Sequence, residues 1–161
     1  MNLSGQNAAA SPPELDYVVE LRVTIGQIME MGTTGSRVRR FVPITGGEFA
    51  GPRLAGRVLP GGADWQALEP GGLTVVDARY VLETNDGVRI EIRNHGVRHA
   101  DPAVLNRLAA GERVDPHDYY FRTTPRFVTP DGKYSWLRRS LFVGAAERFP
   151  DSVVVRVWRV L

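Results

Sequence analysis

The sequence predicts a mainly-β chain, a single antiparallel β-barrel of about eight strands with one short helix. Three observations carry this. Apolar and polar residues alternate with period two over several stretches, as in strands with one buried and one wet face. Glycine, proline, asparagine and aspartate fall between those stretches, where hairpin turns need them. Only one stretch has helical spacing, so the strand–helix alternation of a parallel sheet is missing.

The 161 residues and a 43% hydrophobic fraction suit one domain with one real core. Residues 1–14 are small, polar and proline-containing, and read as a disordered lead-in to a barrel domain over 15–161. The lead-in has no basic start and no apolar run, so it is not read as a signal peptide. Tyr17, Val19, Leu21, Val23 and Ile25 then alternate with Asp16, Glu20, Arg22 and Thr24 as a first strand. Met31 to Ser36 reads as a loop, and Arg37 to Ile44 as a second strand with Pro43 at an edge or bulge. Gly46-Gly47 and Gly51-Pro52 are expected to break the chain. Leu54 to Leu59 is a short strand turned by Pro60-Gly61-Gly62.

The hairpin around Asn85-Asp86-Gly87 is the most informative element. A two-residue turn would mix both faces of its strands. A three-residue loop with Gly87 in the left-handed position pairs Thr84 with Val88 instead. Tyr80, Leu82, Val88, Ile90 and Ile92 then share an apolar face. Asp77, Arg79, Glu83, Arg89, Glu91 and Arg93 share the other, with Glu83 opposite Arg89. The face that must be buried selects this register. Asp101 as N-cap, Pro102 in the first turn and Gly111 past the end mark the helix, with Val104, Leu105 and Leu108 as its apolar stripe. Strands follow over Tyr119–Val128, Tyr134–Val143 and Val153–Val160.

Several chemistries are set aside on composition. The chain has no cysteine, which removes disulfides, thiolate metal sites and a cysteine nucleophile. No metal is expected at His95, His99 or His117, since the first two would lie ~13 Å apart along a strand. No nucleotide loop or serine elbow is present, so no cofactor is expected. Net charge is +2, and Lys133 is the single lysine among twenty basic residues. The arginines are dispersed among acids, so no nucleic-acid partner is expected. No membrane partner is expected either, as no apolar run approaches the ~20 residues of a span. The cytoplasm is the expected location, and a homo-oligomer stays open.

Three stretches carry a resemblance: Gly56 to Gln66, with its GGADWQ core; Asp77 to Thr84 with Asp86-Gly87; and Tyr120-Phe121-Arg122-Thr123 through Pro125-Arg126-Phe127 to Trp136-Leu137. Together they resemble the family known as domain of unknown function 3237, or uncharacterised protein family 0311, from about residue 15 onward. The resemblance implies a small β-barrel with a central cavity and no established activity. The family pattern has a glutamate where this chain has Val128.

The candidate chemistry is a cofactor-independent small-molecule pocket. Asp64 beside Trp65 can be desolvated, which raises a carboxylate toward general-base range. The commoner arrangement is that Asp64 bonds loop amides and Trp65 plugs one barrel end. The charged face of the hairpin reads first as solvent-facing, and the aromatic residues near the C-terminus read first as core. Were the cavity catalytic, Asp64 would be the acid or base, and Tyr80 or Tyr120 would supply a proton. Arg79 or Arg122 would hold an anionic substrate, with Trp65 and Trp136 as walls. Isomerase, lyase or cyclase chemistry on a carboxylate or enolisable compound fits such a site. A non-catalytic carrier or sensor is the alternative, and a purely structural subunit is the third class.

Overall fold

A computed structural model describes residues 11–161. The lead-in assigned to 1–14 falls largely outside the described residues. Ten strands form one antiparallel sheet: β1 Leu15–Ile25, β2 Met29–Thr34, β3 Arg37–Ala50, β4 Ala55–Val58, β5 Gly62–Glu69, β6 Leu73–Thr84, β7 Arg89–His99, β8 Tyr120–Val128, β9 Phe142–Arg148 and β10 Ser152–Val160. The helix α1 spans Pro102–Ala109, between β7 and β8. The sheet runs β1-β10-β9-β8-β7-β6 and returns through β4 and β5 to β3, which pairs with β1. The eight-stranded barrel is therefore closed, with β2 paired to β3 alone at its margin.

The expected hairpin register is the observed one. Glu83 pairs with Arg89, Leu82 with Ile90 and Tyr80 with Ile92. Gly87 sits at φ 82°, where a side chain would be strained. The charged face is outside: Arg79 is 64% exposed and bonds Glu91, while Glu83 lies between Arg57 and Arg89. The expected helix also forms with Pro102 in its first turn, although the Asp101 side chain makes no cap bond.

Four expectations are corrected. The segment expected to loop from Met31 is strand β2 up to Thr34. The glycines at 46 and 47 do not break the chain, because both pair with β1, and β3 runs on to Ala50. Residues 62–69, expected to leave a turn as loop, form β5 between β3 and β6. The strand expected from Tyr134 begins only at Phe142, since Ser135–Arg139 coil into a 3-10 turn that buries Leu137. In β1 a register shift between Tyr17 and Val19 buries both Val18 and Val19 and turns Tyr17 outward against Trp158.

The core is graded along the barrel axis. The end closed by the 3-10 turn is solid, with Leu21, Leu82, Ile90, Ile92, Leu137 and Val157 almost wholly buried. At about 25 cal/mol per Å² of apolar surface, each such side chain contributes roughly 2 kcal/mol to folding. The opposite end, where β7 leads into α1 and on to β8, is hollow.

Candidate functional site

The hollow end holds a cavity of about 300 Å³. It corresponds to the volume of about ten water molecules in the liquid. Its apolar wall comes from residues of six strands, among them Val23, Val42, Leu68, Val76, Phe121 and Val155. Leu105 and Leu108 of α1 and Ile28 of the β1–β2 connection close over it. This explains why α1 is amphipathic yet has no fully buried residue: its apolar stripe faces cavity space.

The polar groups inside follow from strand parity. On β5, Asp64, Gln66 and Leu68 point inward. Gln66 Nε2 donates to Asp64 Oδ2 at 2.7 Å, and the Asp77 amide donates to Oδ1 at 2.9 Å. Burial nonetheless pushes the Asp64 carboxyl above the usual carboxylate range, outweighing those two bonds and the attraction of Arg98. Next to it lies Tyr80, which packs closely on Gly62: a Cβ there would stand 2.5 Å from Tyr80 Cβ. Burial, reinforced by the Asp64 charge, drives the Tyr80 phenol far above its ordinary range, so it remains a proton donor.

Across the sheet, Asp64 pairs with Ala78, and Ala78 pairs with Asn94. Two strand spacings place Asp64 and Asn94 ~10 Å apart, with only the Ala78 methyl between them. Further along β7, Arg98 is 8% exposed and pairs with Thr74 on β6 and Phe121 on β8. Its guanidinium lies 5.6 Å from the centroid of the Phe121 ring. Desolvation, with Arg148 and Arg40 nearby, pushes its pKa down to about 10. Among the described residues no carboxylate lies within 4.0 Å of Arg98 or Arg148. Among the described residues, four buried side-chain polar atoms lack a protein partner, and three of them are on residues that line this cavity: Asn94 Oδ1, Arg98 Nε and Thr123 Oγ1. Native interiors pair such atoms, so three unpaired atoms on residues around one void mark a place where polar groups are held for something else.

Of the residues singled out from sequence, Asp64 and Tyr80 line the cavity together. Trp65 does not: it is one step off the inward parity of β5, 46% exposed, and edge-on to Phe41 outside the barrel. Arg79 faces solvent by the same parity. Tyr120 is 52% exposed, and Arg122 stacks over it at 5.3 Å, both on the outer face of β8. Trp136 lies in the 3-10 turn at the opposite end, under the Arg53 guanidinium at 3.7 Å. His95, His99 and His117 are all exposed. The residues that sequence reading missed are Gln66, Asn94, Arg98, Thr123 and Arg148. The signal for two of them was the alternation Ile90, Ile92, Asn94, Gly96, Arg98, which continues past His95, where the strand was expected to end.

A family model described as a protein of unknown function, DUF3237, matches residues 13–160. A UPF0311 protein of Rhodopseudomonas palustris is 44% identical over 148 residues, covering 92% of this chain and 97% of that one. The crystal structure of a conserved R. palustris protein of unknown function superposes with a TM-score of 0.90 at 42% identity, covering 94% of this chain and 100% of the other. More distantly, the chain is 29% identical over 150 residues to the hydroalkoxylation enzyme phnH of Penicillium herquei, covering 93% of this chain and 85% of that one. A crystal structure of an enzyme from P. herquei shares the fold, with a TM-score of 0.72 at 20% identity, over 96% of this chain and 98% of that one. The barrel, its hollow end and these matches over nearly the whole described chain lead to one statement: this protein belongs to the DUF3237 (UPF0311) family.

Proposed function

We propose that the cavity is the working site and that it performs acid–base chemistry, without a cofactor, on a small enolisable organic molecule. The reaction class is isomerase, lyase or cyclase. The observation that carries this is a desolvated carboxyl group, Asp64, facing the void beside a phenol kept protonated by its own burial. A carboxyl whose pKa burial has raised is a stronger base toward a carbon acid than an ordinary aspartate. Asp64 moves the proton, and the Tyr80 hydroxyl hydrogen-bonds the oxygen on which negative charge develops. Gln66 and the Asp77 amide hold the carboxyl in place. Trp65, Arg79, Tyr120, Arg122 and Trp136 have no place in this scheme.

The distant Penicillium relative supports the reading by its name alone. A hydroalkoxylation adds an O–H across a carbon–carbon double bond. One proton leaves oxygen, one C–O bond forms, and one proton arrives at carbon, so the balance needs no redox partner. The sequence carries none of the nucleotide or thiolate motifs that other chemistries would use. Among the described residues no helix is long and apolar enough to cross a membrane; a cytoplasmic setting stays part of the proposal.

The test is solvent exchange. A panel of arylpyruvates and cyclic ketones is incubated with the protein in D2O, and loss of the α-proton is followed by NMR. Wild-type protein accelerates exchange over buffer, and Asp64→Asn abolishes the acceleration. Equal acceleration by the two overturns the role of Asp64. Ligand binding without acceleration leaves the carrier reading, which the largely aliphatic cavity wall also suits.

A further inference from the structure

The part of the cavity along β7 and β8, from Asn94 on to Arg98, is built unlike the part that holds the proton-transfer pair. We propose that it is a carboxylate-binding subsite, and that the natural ligand is a small hydroxylated organic acid whose carboxylate lies on Arg98 and whose hydroxyl donates to Asn94. The inference rests on the cavity being the working site and names the class of molecule it takes.

Charge comes first. The charged groups lining the cavity are Arg40, Arg98, Arg148 and Asp64. Arg40 has Glu30 at 3.8 Å, and Arg148 donates to the Ser152 carbonyl at 3.3 Å. Arg98 has no such partner, and its Nε is among the unpaired buried atoms. A buried guanidinium without an anion is costly to keep. Its rigid planar fork matches a carboxylate in a way a lysine would not. Arg148 lies near enough to raise the local potential, which adds to the attraction for a monoanion.

Polarity comes next. Asn94 Oδ1 is an acceptor with no donor, and Thr123 Oγ1 is a hydroxyl with neither. Both sit on strands adjacent in the barrel, Asn94 opposite Pro125 and Thr123 opposite Gly96. Thr123 sits between two glycines: a Cβ on Gly96 would stand 2.7 Å from its methyl and one on Gly144 2.3 Å from its hydroxyl, and the residue lines the cavity with Val76 and Val155. A ligand with a carboxylate at Arg98 and a hydroxyl one short ring away gives the Arg98 and Asn94 side chains the partners they lack in the fold. A purely apolar ligand satisfies none, and would leave them buried at a greater cost than before. A cavity of about 300 Å³ has room for a ring that carries both groups.

The experiment uses 3- and 4-hydroxybenzoate and 4-hydroxycinnamate, with their methyl esters and their O-methyl ethers, against the full chain by calorimetry and by NMR of the Thr123 and Leu105 methyl groups. At least one free acid is expected to bind, with its ester and its ether each weakened tenfold or more. Arg98→Met is expected to erase the acid-over-ester preference, and Arg98→Lys to retain part of it. Arg122→Met, on the outer face of β8, is expected to bind as wild type does. Esters that bind as tightly as acids overturn the carboxylate subsite while leaving the cavity as the working site. Failure of the whole panel to shift either methyl signal overturns both. An acid preference that is lost in Arg122→Met and kept in Arg98→Met moves binding to the outer groove and overturns the inference.

Discussion

Replacing Arg98 by methionine should make the unliganded protein more stable. Arg98 is buried, carries an unpaired Nε, and has its pKa pushed down from the ordinary arginine value to about 10. At 1.36 kcal/mol per pH unit, the charged side chain costs the folded state about 3 kcal/mol. Methionine keeps much of the length and none of the charge. It forfeits the contact of the guanidinium with the Phe121 ring, which is worth about 1 kcal/mol. The net gain is therefore about 2 kcal/mol, and for a domain of this size that raises Tm by about 4–8 °C. The sign follows from linkage. A base whose folded pKa lies below its unfolded value destabilises the fold wherever it is charged, here at every pH below about 10. The gain should thus stay level from about pH 5 to 9, where Arg98 is charged in both states. Urea unfolding and scanning calorimetry read it directly. An Arg98→Met protein that is less stable than wild type by 1 kcal/mol or more refutes the reasoning, because it means that Arg98 is already satisfied within the fold.

Other perturbations separate the site from its scaffold. Burial raises Asp64 above its unfolded pKa, so its contribution is favourable at acid pH and is lost as pH rises through the folded value. Asp64→Asn should therefore gain stability at pH 7, with the gap closing toward pH 4 in urea titrations. Leu82→Ala, at a side chain with 0% exposure in the solid half of the barrel, should cost about 2–5 kcal/mol by the same measurement. Gly62→Ala should cost about 1–3 kcal/mol and displace the Tyr80 ring, visible in the NMR signals of that ring, because the new methyl has no room beside Tyr80 Cβ.

The fold was legible in the sequence wherever one strand face had to be buried. The Asn85-Asp86-Gly87 register followed from requiring Tyr80, Leu82, Ile90 and Ile92 to share a side, and that is the register observed. It failed where tertiary pairing overrode local signals. Gly46-Gly47 looks like a break but is paired on β1, and β5 is hidden because its inward residues Asp64 and Gln66 are polar. A strand that lines a polar cavity loses the very alternation used to find it. The candidate site was half legible for the same reason. Asp64 and Tyr80 were found, whereas Arg79 and Tyr80 are neighbours in sequence and cannot both face inward. Arg122 next to Thr123 repeats the point. The parity set by Phe121 and Phe127 sends Arg122 out and Thr123 in. Arg98 lay beyond the expected end of its strand, so nothing local marked it as an inward residue.

The central claim is that the cavity holds a carboxyl group tuned by burial for proton transfer. The most direct measurement is the carbon-13 NMR titration of the Asp64 carboxyl, assigned by the signal that Asp64→Asn removes. The account predicts a midpoint clearly above the ordinary aspartate value near ~3.9. A midpoint at or below that value would contradict it, since the two hydrogen bonds and the arginines would then outweigh desolvation and leave a permanently ionised, inert carboxylate.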